Sequence, residues 1–478
     1  MTRLLIALLT LLLSPAAALA QETEITFTAD SGETVTAYEG RFEVPENRAD
    51  PNSRTLSLAY VRFPATGDDP GVPIVYLSGG PGGSGIATAR GRRFPLFMAM
   101  REFGDVIALD QRGTGASNDI ERCVSSQTVP DAAAISDTEY AELYRAAAEE
   151  CRTIWEGQGV DLRGYTTVES ARDLSDLRRH LGADRVTLWG ISYGTHLALA
   201  AIRELPGEID RAILASVEGL DQTVKLPART DAYFARLQEA VNTQPAAAAA
   251  YPDIAGLMRR VHQRLEAEPV LLDIPQGDGS AVPVLLQRAS MQQAGSMLIA
   301  DPGNAAILLA LYATVDAGDH SLATALFQRF LESGEPITLS AMPIAMDLAS
   351  GISDERLALF EAQAEDGLIG RYLNAPMPQI RGAWDGFDLG EDFRQPPVSD
   401  VPVLVLTGTL DGRTYPDSQR EAVAGLTHVT HITVVNAGHN LFMTTPEVGE
   451  AMARFMRGEP ASSVSITVDL PDFTALPF

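Results

Sequence analysis

Residues Gly190 to Gly194 form a G-x-S-x-G pattern, in which a serine stands midway between two glycines. The apolar run 185–189 before it predicts a short buried strand, and the run 195–203 after it predicts a helix. A serine on a sharp strand-to-helix turn holds its hydroxyl out at the end of a sheet, and flanking glycines permit the tight backbone. The five-residue pattern alone occurs by chance, so the strand and the helix are what identify Ser192 as a candidate nucleophile.

A serine nucleophile needs a base, and the base needs a carboxylate that orients it. Asp411 follows the apolar run 401–408, and His439 follows the apolar run 431–435. Four of the seven histidines lie in helical patterns and two precede the last strand, so His439 alone stands in a glycine-bearing loop at a strand end. The order Ser, Asp, His is the one expected for hydrolases with this turn. We predict that Ser192 attacks a carbonyl carbon, His439 carries the proton and Asp411 fixes the imidazole tautomer.

An oxyanion that forms on the attacked carbonyl needs two donors. The amide of Tyr193 stands at the start of the predicted helix and supplies one donor. The glycine-rich loop 77–83, after an early strand, is the candidate for the other. The alternatives for this loop are a simple turn and a phosphate cradle, although the lysine of a phosphate-binding loop is missing.

The elements that must position these residues form an α/β pattern. Alternation at 24–28 and 34–38, and more clearly at 55–63, is typical of edge strands. Short apolar runs predict buried strands at 73–77, 105–110, 186–189, 212–217, 401–408 and 431–435. Helical patterns stand between several of these runs, for example at 166–181 and 447–456. Buried strands that alternate with helices predict a mostly parallel sheet.

Residues 223–394 differ from the rest of the chain in composition and in periodicity. This stretch is rich in alanine, leucine and glutamine, and its periodicity is mainly helical. We therefore predict a core in two parts, residues 21–222 and 395–478, with a mainly helical insertion at 223–394.

Residues 1–20 are predicted to be a secretory signal peptide. Arg3 supplies a positive charge, residues 4–13 form an apolar core, and Ala18-Leu19-Ala20 is a small-residue cleavage site. A membrane anchor is the alternative, but the apolar stretch is too short to span a bilayer well. The mature protein is therefore predicted to be secreted or periplasmic, with no stable membrane insertion once the signal is removed.

The net charge of −27 bears on the possible partners. A surface this acidic repels phosphate backbones, so nucleic acid is not expected as a partner. The charge favours solubility without naming a substrate.

Cys123 and Cys151 are the two cysteines of the chain. An even pair in an exported protein favours a disulfide, and two free buried thiols are the alternative. No Cys/His cluster has metal-ligand spacing, so we expect neither a metal nor a cofactor.

Three motifs carry a family resemblance. Residues 78–82 resemble an H-G-G-P-G oxyanion loop, 110–117 match a D-Q-R-G-x-G-x-S segment, and 190–195 resemble an aminopeptidase elbow. On these motifs the chain resembles the prolyl iminopeptidase and tripeptidyl aminopeptidase family of α/β hydrolases. The positions of Cys123 and Cys151 are similar to those in the secreted tripeptidyl branch. The resemblance covers residues 74–217 and 401–445.

The resemblance implies an α/β-hydrolase fold with a helical cap and removal of residues from peptide N-termini. It also implies that the Gly80 amide is the second oxyanion donor, and that Glu218 binds the free α-amino group of the substrate. The chain departs from the family at Ser78, where the family has histidine, and in the loop 412–416.

We therefore predict an exported serine hydrolase that releases residues from the N-termini of short peptides. One alternative is an esterase or amidase that acts on small non-peptide substrates. Another is a non-catalytic binding protein on the same scaffold. A haloalkane dehalogenase or an epoxide hydrolase is disfavoured because those enzymes use a carboxylate nucleophile.

Overall fold

A long twisted sheet forms the centre of the molecule in the computed structural model, which describes residues 22–330, 334–459 and 465–476. The predicted signal peptide lies outside these residues. The strands are β1 (Thr23–Thr28), β2 (Thr34–Pro45), β3 (Thr55–Phe63), β4 (Ile74–Leu77), β5 (Val106–Leu109), β6 (Cys123–Thr128), β7 (Val186–Ser192), β8 (Ile209–Val217), β9 (Val270–Pro275), β10 (Ala281–Leu286), β11 (Pro336–Leu339), β12 (Val403–Gly408), β13 (Val429–Val435) and β14 (Ser465–Thr467).

Helices cover the sheet and fill the connections between its strands. They are α1 (Gly85–Arg90), α2 (Phe94–Met100), α3 (Asp137–Gly157), α4 (Thr167–His180), α5 (Tyr193–Glu204), α6 (Pro227–Asn242), α7 (Pro245–Ala250), α8 (Ile254–Ala267), α9 (Arg288–Leu298), α10 (Pro302–Asp316), α11 (Ser321–Phe330), α12 (Ala341–Ser350), α13 (Asp354–Ala364), α14 (Glu391–Arg394), α15 (Pro416–Ala422) and α16 (Pro446–Met456).

The strand order in the main sheet is β1-β2-β3-β5-β4-β7-β8-β12-β13-β14. β1 pairs antiparallel with β2, β2 pairs antiparallel with β3, and β3 pairs antiparallel with β5. All the pairs from β5 to β14 are parallel. The carboxyl ends of β4, β7, β12 and β13 therefore meet at one edge of the sheet, where open α/β sheets place their sites.

Two of the three predicted edge strands are interior to the sheet. β2 pairs with β1 and β3, and β3 pairs with β2 and β5, so of the three β1 alone lies at the edge. An interior antiparallel strand with one face in solvent alternates in the same way as an edge strand. The pattern therefore identified the exposed face of β2 without identifying its neighbours.

Both faces of the parallel sheet are buried at its central strands, whereas β13 and β14 are more exposed. In β7, Leu188 belongs to the hydrophobic cluster on one face, and its neighbour Trp189 belongs to the cluster on the other. The helix α4 belongs to the first of these layers. The Thr166 hydroxyl accepts a hydrogen bond from the Glu169 backbone N–H at 3.3 Å, so Thr166 caps α4.

The connection from β8 to β12 is the mainly helical insertion that the sequence predicts. It holds α6–α14, the antiparallel hairpin β9–β10 and the short strand β11. Tyr233 and Tyr312 belong to a separate hydrophobic cluster, which also includes Leu373 of the later part and Tyr415 beyond the insertion. Met342 and Met346 of α12 instead pack into the cluster beneath the sheet. The later part of the insertion is thus continuous with the core.

A disulfide joins Cys123 of β6 to Cys151 of α3, which confirms the predicted pairing. β6 also pairs antiparallel with β11, so the bridged strand contacts the insertion directly. In the three described ranges, no helix combines the length and the hydrophobicity that a membrane span requires.

Candidate active site

Ser192 lies at the turn between β7 and α5. Its φ of 55° and ψ of −130° are strained for a residue with a side chain, a conformation that costs about 1–3 kcal/mol. A Cβ at position 194 would clash with the Leu77 carbonyl oxygen, and one at 190 would lie 2.7 Å from the Gly194 oxygen. The two glycines of the motif, predicted to permit a tight backbone, are thus required by the close approach of other backbone atoms.

His439 contacts the carboxylate of Asp411. Its Nδ1 lies 3.0 Å from Oδ2 and 3.1 Å from Oδ1. Oδ1 also accepts the backbone N–H groups of Arg413 and Thr414, at 2.8 and 2.9 Å, and Oδ2 accepts the Thr414 hydroxyl at 2.7 Å. Burial raises the pKa of Asp411, but the facing His439 and the hydrogen bonds from His439 and Thr414 outweigh it, so the pKa is lowered. The carboxylate is thus charged and fixed in orientation.

The backbone of His439 is held on both sides. Its N–H donates to the Ala300 oxygen at 2.8 Å, and its oxygen accepts the Ser216 hydroxyl at 2.8 Å. The carboxylate of Asp301 accepts two hydrogen bonds from Asn440, at 3.2 and 2.7 Å. Since residues 300 and 301 belong to the insertion, the insertion helps to position the histidine.

Ser192 and His439 line the same open cleft of about 520 Å³ at the carboxyl edge of the sheet. Within the described residues no hydrogen bond joins the two side chains. Such a contact commonly tightens only when substrate is bound. The structure therefore brings together the three residues that the sequence predicts as a triad.

The glycine-rich loop after β4 lies against the elbow. A Cβ at position 79 would come within 3.0 Å of the Ser192 Cβ. Gln111 donates to the Ser78 carbonyl oxygen at 3.1 Å, and Asp110 accepts the Ser84 hydroxyl at 2.6 Å. The D-Q-R-G segment therefore supports this loop.

The two predicted oxyanion donors come from different segments, the glycine-rich loop and the first turn of α5. Gly80 lines the cleft, and Tyr193 is the first residue of α5. Their amides as donors to an oxyanion remain a prediction.

Glu218 lies just beyond β8 and is buried. Its Oε2 is 2.7 Å from the Lys225 ammonium, and it is not among the residues that line the cleft. Its backbone N–H donates to the Thr195 hydroxyl at 2.8 Å, which ties it to the first turn of α5. The structure thus places Glu218 behind the elbow with a cation already bound to it.

Three residues near the site were not predicted from the sequence: Asp347, Arg93 and Arg413. Burial, followed by the charge of Glu218, raises the pKa of Asp347 to about 7, although Lys225 lowers it. Arg93 and Arg413 line the cleft beside Ser192. Arg413 stands two residues after Asp411, and that spacing was an available signal. Nothing in the sequence indicates that Asp347 approaches Glu218.

No group of three His, Cys, Asp or Glu side chains within the described ranges is arranged to hold a metal ion.

A family model described as "alpha/beta hydrolase fold" matches residues 72–289. With the sheet topology and the strained serine turn, this match decides the fold. The chain has the α/β-hydrolase fold. The predicted fold class, an α/β-hydrolase sheet with an inserted mainly helical segment, is confirmed.

This chain is similar, over part of its length, to three named proteins. It is 34% identical to the serine protease Hip1 of Mycobacterium tuberculosis over 181 residues, which are 37% of this chain and 35% of that protein. It is 31% identical to a tripeptidyl aminopeptidase of Streptomyces coelicolor over 196 residues, 37% of this chain and 34% of the other. A probable proline iminopeptidase of the same organism is 30% identical over 158 residues, 33% of this chain and 36% of the other.

The chain thus matches about a third of the length of each of these relatives. The names of these relatives agree with the peptidase family that the motifs indicate, so the predicted resemblance is confirmed.

Proposed function

We propose that this α/β hydrolase is a serine hydrolase of the peptidase type, with Ser192, His439 and Asp411 as its triad. The observation that carries the proposal is the strained Ser192 in the same cleft as His439, whose Nδ1 lies 3.0 Å from the buried Asp411. The fold match and the peptidase names of the relatives add support.

In the proposed reaction the Ser192 oxygen attacks a carbonyl carbon while its proton passes to His439 Nε2. The Asp411 carboxylate accepts a hydrogen bond from Nδ1–H of His439 and stabilises the imidazolium that forms. The amides of Gly80 and Tyr193 donate to the oxyanion. His439 then returns the proton to the leaving amine as the C–N bond breaks, and water hydrolyses the acyl-enzyme by the same steps.

The finer proposal is that the enzyme is an aminopeptidase that acts on short peptides. Its support is the resemblance of the three motifs and the names of the relatives. In this proposal Glu218 binds the α-amino group of the substrate. Because Lys225 already pairs with Glu218, the substrate ammonium would have to displace it.

We also propose that the chain is exported to a secreted or periplasmic location. The signal pattern of residues 1–20 and the Cys123–Cys151 disulfide support this, since disulfides persist in oxidising compartments. The segment 223–394 is proposed to act as the cap of the core formed by 21–222 and 395–478.

Chromogenic tripeptide anilides with free and acetylated N-termini test the aminopeptidase proposal, with short-chain esters beside them. We expect kcat/KM to be at least about tenfold higher for the free amine, because a charge-assisted hydrogen bond is worth about 1.5–3 kcal/mol. Glu218→Gln is expected to raise KM for the free-amine substrates only, and Ser192→Ala is the blank.

Different outcomes separate the alternatives. Ester hydrolysis that is indifferent to a free amine would overturn the peptidase proposal and favour the esterase. The absence of any Ser192-dependent turnover would favour a binding protein. An unchanged preference in Glu218→Gln would remove Glu218 from amine binding.

A further inference from the structure

Two arginines face the cleft that holds Ser192 and His439. Twelve residues line this cleft, and they include Arg93 and Arg413 but no carboxylate. The cleft wall is therefore cationic in a chain whose net charge is −27. A cationic wall in so acidic a protein indicates that the cleft binds an anionic group.

Arg93 is held in a fixed orientation. Its guanidinium donates to the Tyr76 hydroxyl and, at 3.3 Å, to the Asn440 side-chain oxygen. It also lies over the rings of Tyr76 and Phe442, with its central carbon 5.9 and 5.7 Å from their centroids. Since guanidinium has five N–H donors, donors remain for a ligand in the cleft. Held in this way, Arg93 needs little reordering to bind a carboxylate.

Arg413 is held by the insertion. Its Nη1 donates to the backbone oxygens of Ser296 and Leu373, at 3.0 and 3.3 Å. Its own backbone N–H is bonded to Asp411, so it is anchored at both ends. Its remaining N–H groups are free for a second contact with an anion in the cleft.

Neither arginine forms an ion pair with a carboxylate in the described part of the chain. Other cations close to the site are paired, as Arg112 is with Asp173 and Lys225 is with Glu218. Of the nearest acids, Asp411 is bonded to His439, and Asp301 is bonded to Asn440. Within the described residues, the two arginines of the cleft wall are thus cations without a carboxylate partner.

We propose that this cleft selects substrates that carry a carboxylate next to the scissile bond, and that Arg93 and Arg413 bind it. This rests on the proposed function. Two sources present the same chemistry: the C-terminal carboxylate of a peptide with a one- or two-residue leaving group, and an acidic side chain next to the bond. In either case the two arginines determine which substrates bind, and Ser192 attacks the scissile bond.

Two matched pairs of short peptides test the proposal, with products measured by chromatography. One pair compares a tetra-alanine acid with its C-terminal amide, and the other compares Glu with Gln beside the scissile bond in amidated peptides. Wild type is expected to favour the anionic member of a pair by at least about tenfold in kcat/KM. Arg93→Gln and Arg413→Gln should each move that ratio towards one. Arg92→Gln, which removes a neighbouring exposed charge outside the cleft, should keep it.

Because each ratio is taken within one variant, a general loss of activity cancels. A preference in the first pair alone identifies the C-terminal carboxylate as the source, and one in the second pair alone identifies the side chain. Equal cleavage within both pairs by wild type overturns the proposal and leaves the proposed function intact. A preference that survives both glutamine variants also overturns it. If wild type cleaves none of the four peptides, the peptidase proposal fails and this inference fails with it.

Discussion

Ser192→Ala is expected to lower kcat by roughly 10⁴–10⁶-fold, because it removes the hydroxyl that attacks the carbonyl carbon. Substrate binding should change little, since the hydroxyl contributes mainly to the transition state. The measurement is kcat and KM on whichever substrate wild type cleaves best, with circular dichroism to verify the fold. Residual activity within tenfold of wild type would contradict the assignment.

Two further variants serve as controls. Ser57→Ala removes an exposed serine hydroxyl on β3, away from the cleft, and should leave kcat unchanged. Ser192→Gly should be as inactive as the alanine variant. It should also be more stable than that variant by about 1–2 kcal/mol, because glycine relieves the strain of the positive φ. Equal stability of the two inactive variants would show that the turn stores no strain at Ser192.

Asp411→Asn is expected to lower kcat by about 10³–10⁴-fold with little change in fold. The reason lies in which oxygen is replaced. Oδ1 accepts two backbone N–H groups, which can only donate, so the amide oxygen must take that position. The amide NH₂ then faces His439 Nδ1 and moves the imidazole proton to Nε2, which is the wrong tautomer for a base. The charge that stabilises the imidazolium is also lost.

The matched control is Asp417→Asn, an exposed aspartate at the start of α15 that pairs with Arg229 and Arg420. Asp417 lies between β12 and β13, as Asp411 does, but it does not contact His439. The kcat of Asp417→Asn should therefore stay within about twofold of wild type, as is usual for surface substitutions. If Asp411→Asn also kept most of the activity, another residue would have to orient the imidazole.

Much of the sheet, and the positions of Ser192, Asp411 and His439 at the ends of its strands, could be predicted because their signals are local. β4, β5, β12 and β13 are short apolar runs that end at glycine or polar residues. The elbow was visible because Gly190 and Gly194 are needed for close approach. Such constraints act between residues near one another in sequence, so a pattern of a few residues reveals them.

The supports of the site were not predictable, because they depend on packing between distant segments. His439 is held by Ala300 and Ser216, which precede it by well over a hundred residues. Arg93 reaches the cleft from the turn before α2, and its contact with Asn440 spans most of the chain. No periodicity or spacing encodes such contacts. For the same reason the sequence did not show that Lys225 pairs with Glu218.

The central claim is that Ser192 is the nucleophile of a hydrolase whose base is His439. The most direct measurement is reaction of the folded protein with a fluorophosphonate, followed by intact mass and peptide mapping. We predict one adduct per chain, on Ser192, with turnover lost in step with labelling and no adduct in Ser192→Ala or His439→Ala. A stoichiometric adduct on a different residue, or full turnover by protein labelled on Ser192, would contradict the account.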